Sequence, residues 1–199
     1  MEILKYIAVG IAGYLLGSVS ISILMSKKAM GGDVREKGSG NAGATNMARV
    51  YGWSAGLITL GGDMLKAAIA MLIGLLLLGD LGIAIGGIAA MIGHCFPAFY
   101  GFKGGKGVSI LAAVACFMDW RTVVIGLAVF IIVAMLTKKV SPGSLAAAVS
   151  VPVISWLVGV STPKLVLAVF AGIMVIIQHR ANIKRLINGT EANFKAAKK

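Results

Sequence analysis

Acidic side chains are scarce in this chain: seven Asp and Glu stand against nineteen Lys and Arg in 199 residues, and charged residues of both signs make up only 13%. So few charges, beside 58% hydrophobic residues and a mean hydropathy of +0.93, exclude an ordinary soluble domain and make the bilayer the expected solvent. Cysteine is equally thin. Cys95 and Cys116 form neither a CxxC pair nor a spaced His/Cys set, so neither a disulfide framework nor a metal site is expected. A net charge of +12 can serve nucleic acid, or membrane lipid and anionic substrates. No basic stretch is interleaved with aromatics, which sets nucleic acid aside.

Long apolar runs are what the chain has in quantity. Crossing about 30 Å of hydrocarbon takes roughly 20 apolar residues in a helix whose backbone groups pair internally. Runs fall at 3–25, 53–78, 81–99, 108–118, 122–136, 144–160 and 165–178. They predict an all-α integral membrane protein of seven transmembrane helices, a single domain over 1–199, with the fourth run too short to cross unaided. The first run is too long for a signal-peptide core and lacks a small-residue cleavage site, so it is read as retained. Lys and Arg give the orientation. All but Lys5, Lys66, Arg121 and Lys164 fall in the odd-numbered loops and the C-terminal tail, which puts the N-terminus outside and the C-terminus in the cytoplasm.

Three polar stretches then share the cytoplasmic face: GSGNAGATNMAR (38–49), GHCFPAFYGFKGGKGV (93–108) and HRANIKRL (179–186). In the first, Gly38, Gly40 and Gly43 can take positive φ, and Asn41 less readily, so successive N–H groups can curl round an anion. Ser39, Thr45 and Asn46 add short donors, and Arg49 can clamp a phosphate with two hydrogen bonds. A plain capped loop is the alternative. In the second, Lys103 and Lys106 sit in a glycine run opening into the short fourth helix, whose free N-terminal N–H groups attract phosphate. It is no Walker loop: glycine is needed where Lys106 stands, and no hydroxyl follows the lysine. His94, just before this loop, reads as a hydrogen-bonded interface histidine.

In the third stretch His179 and Asn182 share a face if the helix continues, with Lys184 nearby; a plain helix-end dipole partner is the alternative for the histidine. The tail from Asn188 reads as a basic, loosely ordered end on anionic lipid heads. Ser141 before Pro142 reads as an N-cap, with Ser144 turned inward or merely capping. Asp63 and Lys66, one turn apart in the second run, are expected to neutralise each other.

The three stretches in this order, with the chain length and seven spans, resemble the bacterial membrane glycerol-3-phosphate acyltransferases that use acyl phosphate, the PlsY family. The likeness covers nearly the whole chain. It implies transfer of an acyl group from acyl phosphate to the sn-1 hydroxyl of glycerol 3-phosphate, giving lysophosphatidic acid and phosphate, the first acylation of phospholipid synthesis. Lys106, His179 and Asn182 would act in catalysis. Ser39, Asn41, Thr45, Asn46, Arg49 and Ser144 would bind substrate, with Gly104, Gly105 and Gly107 holding a phosphate. No metal-ligand set is visible, so no metal is expected, nor a cofactor; the resemblance implies a site on the cytoplasmic side of a bacterial inner membrane and a cytoplasmic enzyme supplying acyl phosphate as partner.

The residues agree with it on physical grounds. Both substrates carry phosphate dianions, which suits a basic site, and the acyl tail suits a groove between apolar helices that opens sideways. Phe99 and Lys184 stand where an HxxxxD acyltransferase would place its acid, so that template is excluded. The proton acceptor is left open between His179 and the donor's own phosphate. The competing class is an organic-phosphate membrane transporter, against which stand scarce mid-membrane charges and the lack of an inverted repeat.

Overall fold

The computed structural model describes residues 2–197; Met1, Lys198 and Lys199, the last two counted in the basic tail, lie outside it. No strand occurs among the described residues. The helices are α1 (Glu2–Ser18), α2 (Ile21–Ala29), α3 (Ala44–Tyr51), α4 (Trp53–Cys95), α5 (Val108–Met118), α6 (Trp120–Thr137), α7 (Val140–Leu157), α8 (Thr162–Gln178) and α9 (Arg180–Ile187). α1 and α2 together make one 28-residue apolar stretch.

α4 is not one rod but two helices joined at a kink. Gly79 takes φ 60° and ψ −142°. A Cβ built on Gly74 would collide with the backbone of Gly82, and one on Gly86 with that of Ala70. Residues eight apart in a straight helix stand about 12 Å apart, so the chain folds back at Gly79 into two antiparallel arms, 53–78 and 80–95. Glycine at the crossing lets the two backbones touch. α1 runs parallel to the second arm on the same terms, Gly13 against Gly86 and Gly17 against Ala90. Hence the N-terminus of the first arm and the C-termini of α1 and the second arm reach one end of the bundle.

Four helical stretches are long and apolar enough to cross a membrane, and α8 with α9, bent by 56°, makes a fifth. On that measure the folded-back α4 counts once and α5, at 11 residues, not at all. α5 is nonetheless central: Ile110, Leu111 and Val114 are buried against α4, α7 and α8. The outer faces are apolar and exposed, as at Leu76, Leu136 and Met135, which suits lipid as their surroundings. A short helix at the centre of longer ones begins partway along the bundle axis, and that sets its N-terminus inside the wall of a cavity.

Candidate active site

The cavity, of about 1060 Å³, opens at the end of the bundle where α3 and α5 begin and α8 gives way to α9. Ser39, Asn41, Thr45, Asn46, Arg49, Lys106, Gly107, Ser144, His179 and Asn182 all line it. Of the expected residues, Gly104 faces a neighbouring depression beside Arg35 and Tyr100, and Gly105 lies behind the His94 ring. Lys103 shares that depression, and Lys184 is exposed.

The first polar stretch is built around the Asn46 side chain. Its Oδ1 accepts from the Ser39 N–H at 2.8 Å, and its Nδ2 donates to the carbonyls of Lys37 at 3.0 Å and of Val34 and Asn41 at 3.1 Å. Gly38, at φ 60°, approaches Asn46 so closely that a Cβ would collide with its Oδ1. The amide is thus engaged with its own loop, and Ser39, Asn41, Thr45 and Arg49 are presented on the scaffold it makes. Arg35 ties this loop to the second stretch: it pairs with Asp33 at 2.8 Å and donates to the carbonyls of Tyr100 at 2.7 Å and Lys103 at 3.1 Å. The hydrogen bond from Arg35 holds the Asp33 carboxyl well below the usual carboxylate range.

The lysine–glycine loop differs from the expectation in its hydrogen bonding. The N–H groups of Gly104 and Gly105 donate to the carbonyls of Cys95 at 3.2 Å and His94 at 3.1 Å, so they fasten the loop to the end of α4. Gly107, at φ 83°, then turns the chain into α5, and Val108 and Ser109, the first residues of that helix, line the cavity. Their N–H groups belong to the unsatisfied first turn and bring a partial positive charge to the wall.

Lys106 Nζ donates to Asn182 Oδ1 at 2.6 Å. Because an ammonium only donates, this orients the amide, whose Nδ2 donates to Ser141 Oγ at 2.8 Å and Glu191 Oε1 at 2.7 Å. Ser141 donates in turn to Glu191, and Arg185 closes the far side on Glu191 Oε2 at 2.6 Å. Burial, with Arg185 adding to it, pushes the Lys106 ammonium down to about 8. Partial burial pushes the Glu191 carboxyl up, but the hydrogen bonds from Ser141, Asn182 and Arg185 outweigh it and hold it below its ordinary value. His179 Nδ1 lies 2.7 Å from the Val175 carbonyl. A carbonyl can only accept, so Nδ1 carries the hydrogen and Nε2 is left as an acceptor.

Two expectations change here. α7 starts at Val140 with Lys139 as its cap, so Ser141 lies inside the first turn and turns its hydroxyl to Asn182 and Glu191 instead of capping. The tail does not lie loosely. Phe194 N–H donates to the Lys138 carbonyl at 3.0 Å and Ala197 N–H to that of Ala48 at 3.1 Å, while the Phe194 ring meets Trp53 edge-on at 5.3 Å. The strap 188–197 therefore crosses the cavity mouth. Sequence reasoning missed Arg185, Glu191 and Phe194 and gave Ser141 only a capping role; the available signal was that Glu191 is the one acid in the chain after Asp119.

Away from the polar end the lining becomes apolar: Trp53, Leu57 and Leu60 on the first arm of α4 face Phe130, Ile131 and Met135 on α6. Leu57 is 60% and Met135 73% exposed, so this part opens sideways between the two helices.

A family model described as glycerol-3-phosphate acyltransferase matches residues 7–189. The glycerol-3-phosphate acyltransferase of Clostridioides difficile (strain 630) is 42% identical over 197 residues, covering 96% of each chain. That of Bacillus subtilis (strain 168) is 40% identical over 185 residues, 93% of this chain and 95% of the relative. A crystal structure of PlsY (YgiH), an integral membrane glycerol 3-phosphate acyltransferase, superposes in its glycerol 3-phosphate form with a TM-score of 0.90 at 33% identity, over 96% of each chain. Its lysophosphatidic acid form gives 0.87 at 31% identity.

Proposed function

Since the chain belongs to the PlsY family of integral membrane glycerol-3-phosphate acyltransferases, we propose that its donor is acyl phosphate and its acceptor the sn-1 hydroxyl of glycerol 3-phosphate. Lysophosphatidic acid and inorganic phosphate are the products. The observation that carries this reading is the cavity's division, with Arg49, Lys106 and the α5 N-terminus at one end and an apolar cleft open to the side at the other. A doubly phosphorylated reactant pair with one long tail matches both halves.

Acyl phosphate is a mixed anhydride with a good leaving group, so positioning and charge neutralisation suffice for most of the acceleration. The glycerol hydroxyl oxygen attacks the acyl carbon, the bond from that carbon to the phosphate oxygen breaks, and phosphate leaves with the electron pair. Lys106, steered by Asn182, neutralises charge on the phosphoryl oxygens; Ser39, Asn41, Thr45 and Arg49 hold glycerol 3-phosphate, and Ser144 supplies a hydroxyl from α7. The hydroxyl proton passes to the departing phosphate, with His179 orienting the acceptor. Burial, with the cationic Lys106 adding to it, outweighs the favourable Val175 carbonyl and disfavours an imidazolium at 179, which supports the phosphate as acceptor.

We infer seven crossings by adding the two arms of α4 and the short α5 to the remaining spans. The Lys and Arg asymmetry supports a cytoplasmic C-terminus and site in a bacterial inner membrane. An enzyme that makes acyl phosphate is the expected cytoplasmic partner. The test is purified protein reconstituted in sealed vesicles and offered glycerol 3-phosphate with acyl phosphate, acyl-CoA or acyl carrier protein. Lysophosphatidic acid formed from acyl phosphate alone is expected; formation from a thioester donor instead overturns the donor, and uptake of glycerol 3-phosphate without product makes the protein a carrier.

A further inference from the structure

The mechanism above leaves one buried cluster of ionisable groups unused. His94, 5% exposed, ends the second arm of α4 and lines the cavity. Its Nδ1 lies 3.6 Å from Asp63 Oδ1 on the first arm. The same oxygen is 2.8 Å from Lys66 Nζ, which donates to the Val19 carbonyl at 2.6 Å. The row thus runs from the break between α1 and α2, across α4, to the cavity wall.

Lys66 already neutralises Asp63, as a charge inside a membrane protein requires, so the carboxylate needs no second charge from His94, although its Oδ1 lacks a hydrogen-bond partner. The ring gains an orientation instead. With Nδ1 turned to Asp63, Nε2 lies on the opposite edge, against Gly105, where a Cβ would collide with both Nε2 and Cε1. Glycine at 105 is what admits the imidazole to the lysine–glycine loop. The backbone of His94 fastens that loop, through its carbonyl to the Gly105 N–H at 3.1 Å, and the side chain reaches the same place independently. Among the described residues Nε2 has no hydrogen-bond partner, although the ring lines the cavity that also holds Lys106.

We propose that His94 is a further substrate-contacting residue, its Nε2–H donating to a phosphoryl oxygen held beside Lys106, with Asp63 and Lys66 as positioning residues. A phosphoryl dianion brings the negative charge that favours a second ring proton, so that Nδ1 faces Asp63 and Nε2–H faces the dianion. The inference deepens the proposed function and rests on a phosphoryl group binding in this cavity. Glycerol 3-phosphate and acyl phosphate present the same phosphoryl chemistry, and separate titration of the two substrates tells which one His94 reads.

The test uses the different reach of two amides. Gln at 94 can place a nitrogen where Nε2 stands, whereas Asn reaches only the Nδ1 position and keeps the contact with Asp63. His94→Ala is expected to raise KM for one phosphorylated substrate about tenfold or more, with a smaller change in kcat. His94→Gln restores most of that loss and His94→Asn does not. Rescue by Asn alone, or an unchanged KM for both substrates in His94→Ala, overturns the assignment. Thermal stabilisation by inorganic phosphate is read without any acyl donor, so it decides the question even where the donor is misassigned: wild type and His94→Gln are stabilised, His94→Ala and His94→Asn are not. Equal stabilisation of all four proteins sinks the proposal.

Discussion

Lys106 is cationic, half-buried and steered by one amide oxygen, and its depressed proton affinity has a visible consequence. In the proposed mechanism its protonated form neutralises phosphate, so kcat/KM is expected to be full below and to fall as pH rises through about 8. Lys106→Arg moves that alkaline limb out of range, whatever it does to the rate. Lys106→Met is expected to lower kcat about a hundredfold or more while the protein still inserts and folds, measured by product formation and thermal midpoint. Arg49→Lys replaces a planar fork by a point charge and should raise the glycerol 3-phosphate KM about tenfold with little change in kcat. Both cations stood out in the sequence within or beside glycine-containing loops, although the positive-inside bias accounts for such residues as well. Asn46 was legible only as a polar residue of the loop; that it holds three carbonyls and one N–H of that loop depends on a fold the spacing does not reveal.

Helices were foretold by length and composition, their junctions less well. The runs at 53–78 and 81–99 correspond to the two arms of α4, and the turn at Gly79 needs the positive φ that glycine takes freely. Gly74→Val should place a side chain into the opposite backbone and cost on the order of 1–3 kcal/mol, read as a lowered thermal midpoint in detergent. The partnership of His179 with Asn182 was expected on a continuing helix; the 56° bend between α8 and α9 delivers both to the cavity by another route. The strap escaped notice because a basic tail has an obvious partner in anionic lipid, and the contacts that hold it come from residues as far away as Ala48 and Ser141. Its one carboxylate gives it a pH dependence. Glu191 has its proton affinity lowered on folding, so its stabilisation is complete above the ordinary Glu range and is lost as pH falls through the lower, folded value. Hydrogen exchange over 188–197 should rise on acidification, and Glu191→Gln should abolish that rise.

At the scale of the whole molecule, charge is divided between two ends. The end opposite the site carries Lys164 paired with Asp80 at 3.1 Å and a hydrogen bond from Ser161 to the same carboxylate at 2.6 Å. In a protein lacking Cys95 and Cys116, Lys164→Cys is expected to react with a membrane-impermeant thiol reagent added outside intact cells, and Lys195→Cys only after the membrane is opened. The opposite labelling pattern would invert the topology. The sideways cleft between the first arm of α4 and α6 changes what the enzyme experiences as supply. Drawing a saturated tail of sixteen carbons through water costs roughly 0.8 kcal/mol per methylene, a barrier above 10 kcal/mol that entry from the side removes. With the proposed membrane-borne donor, turnover is expected to follow the number of donor molecules per unit area of leaflet, and diluting the membrane with inert lipid to slow the reaction even when nothing in the surrounding buffer has changed.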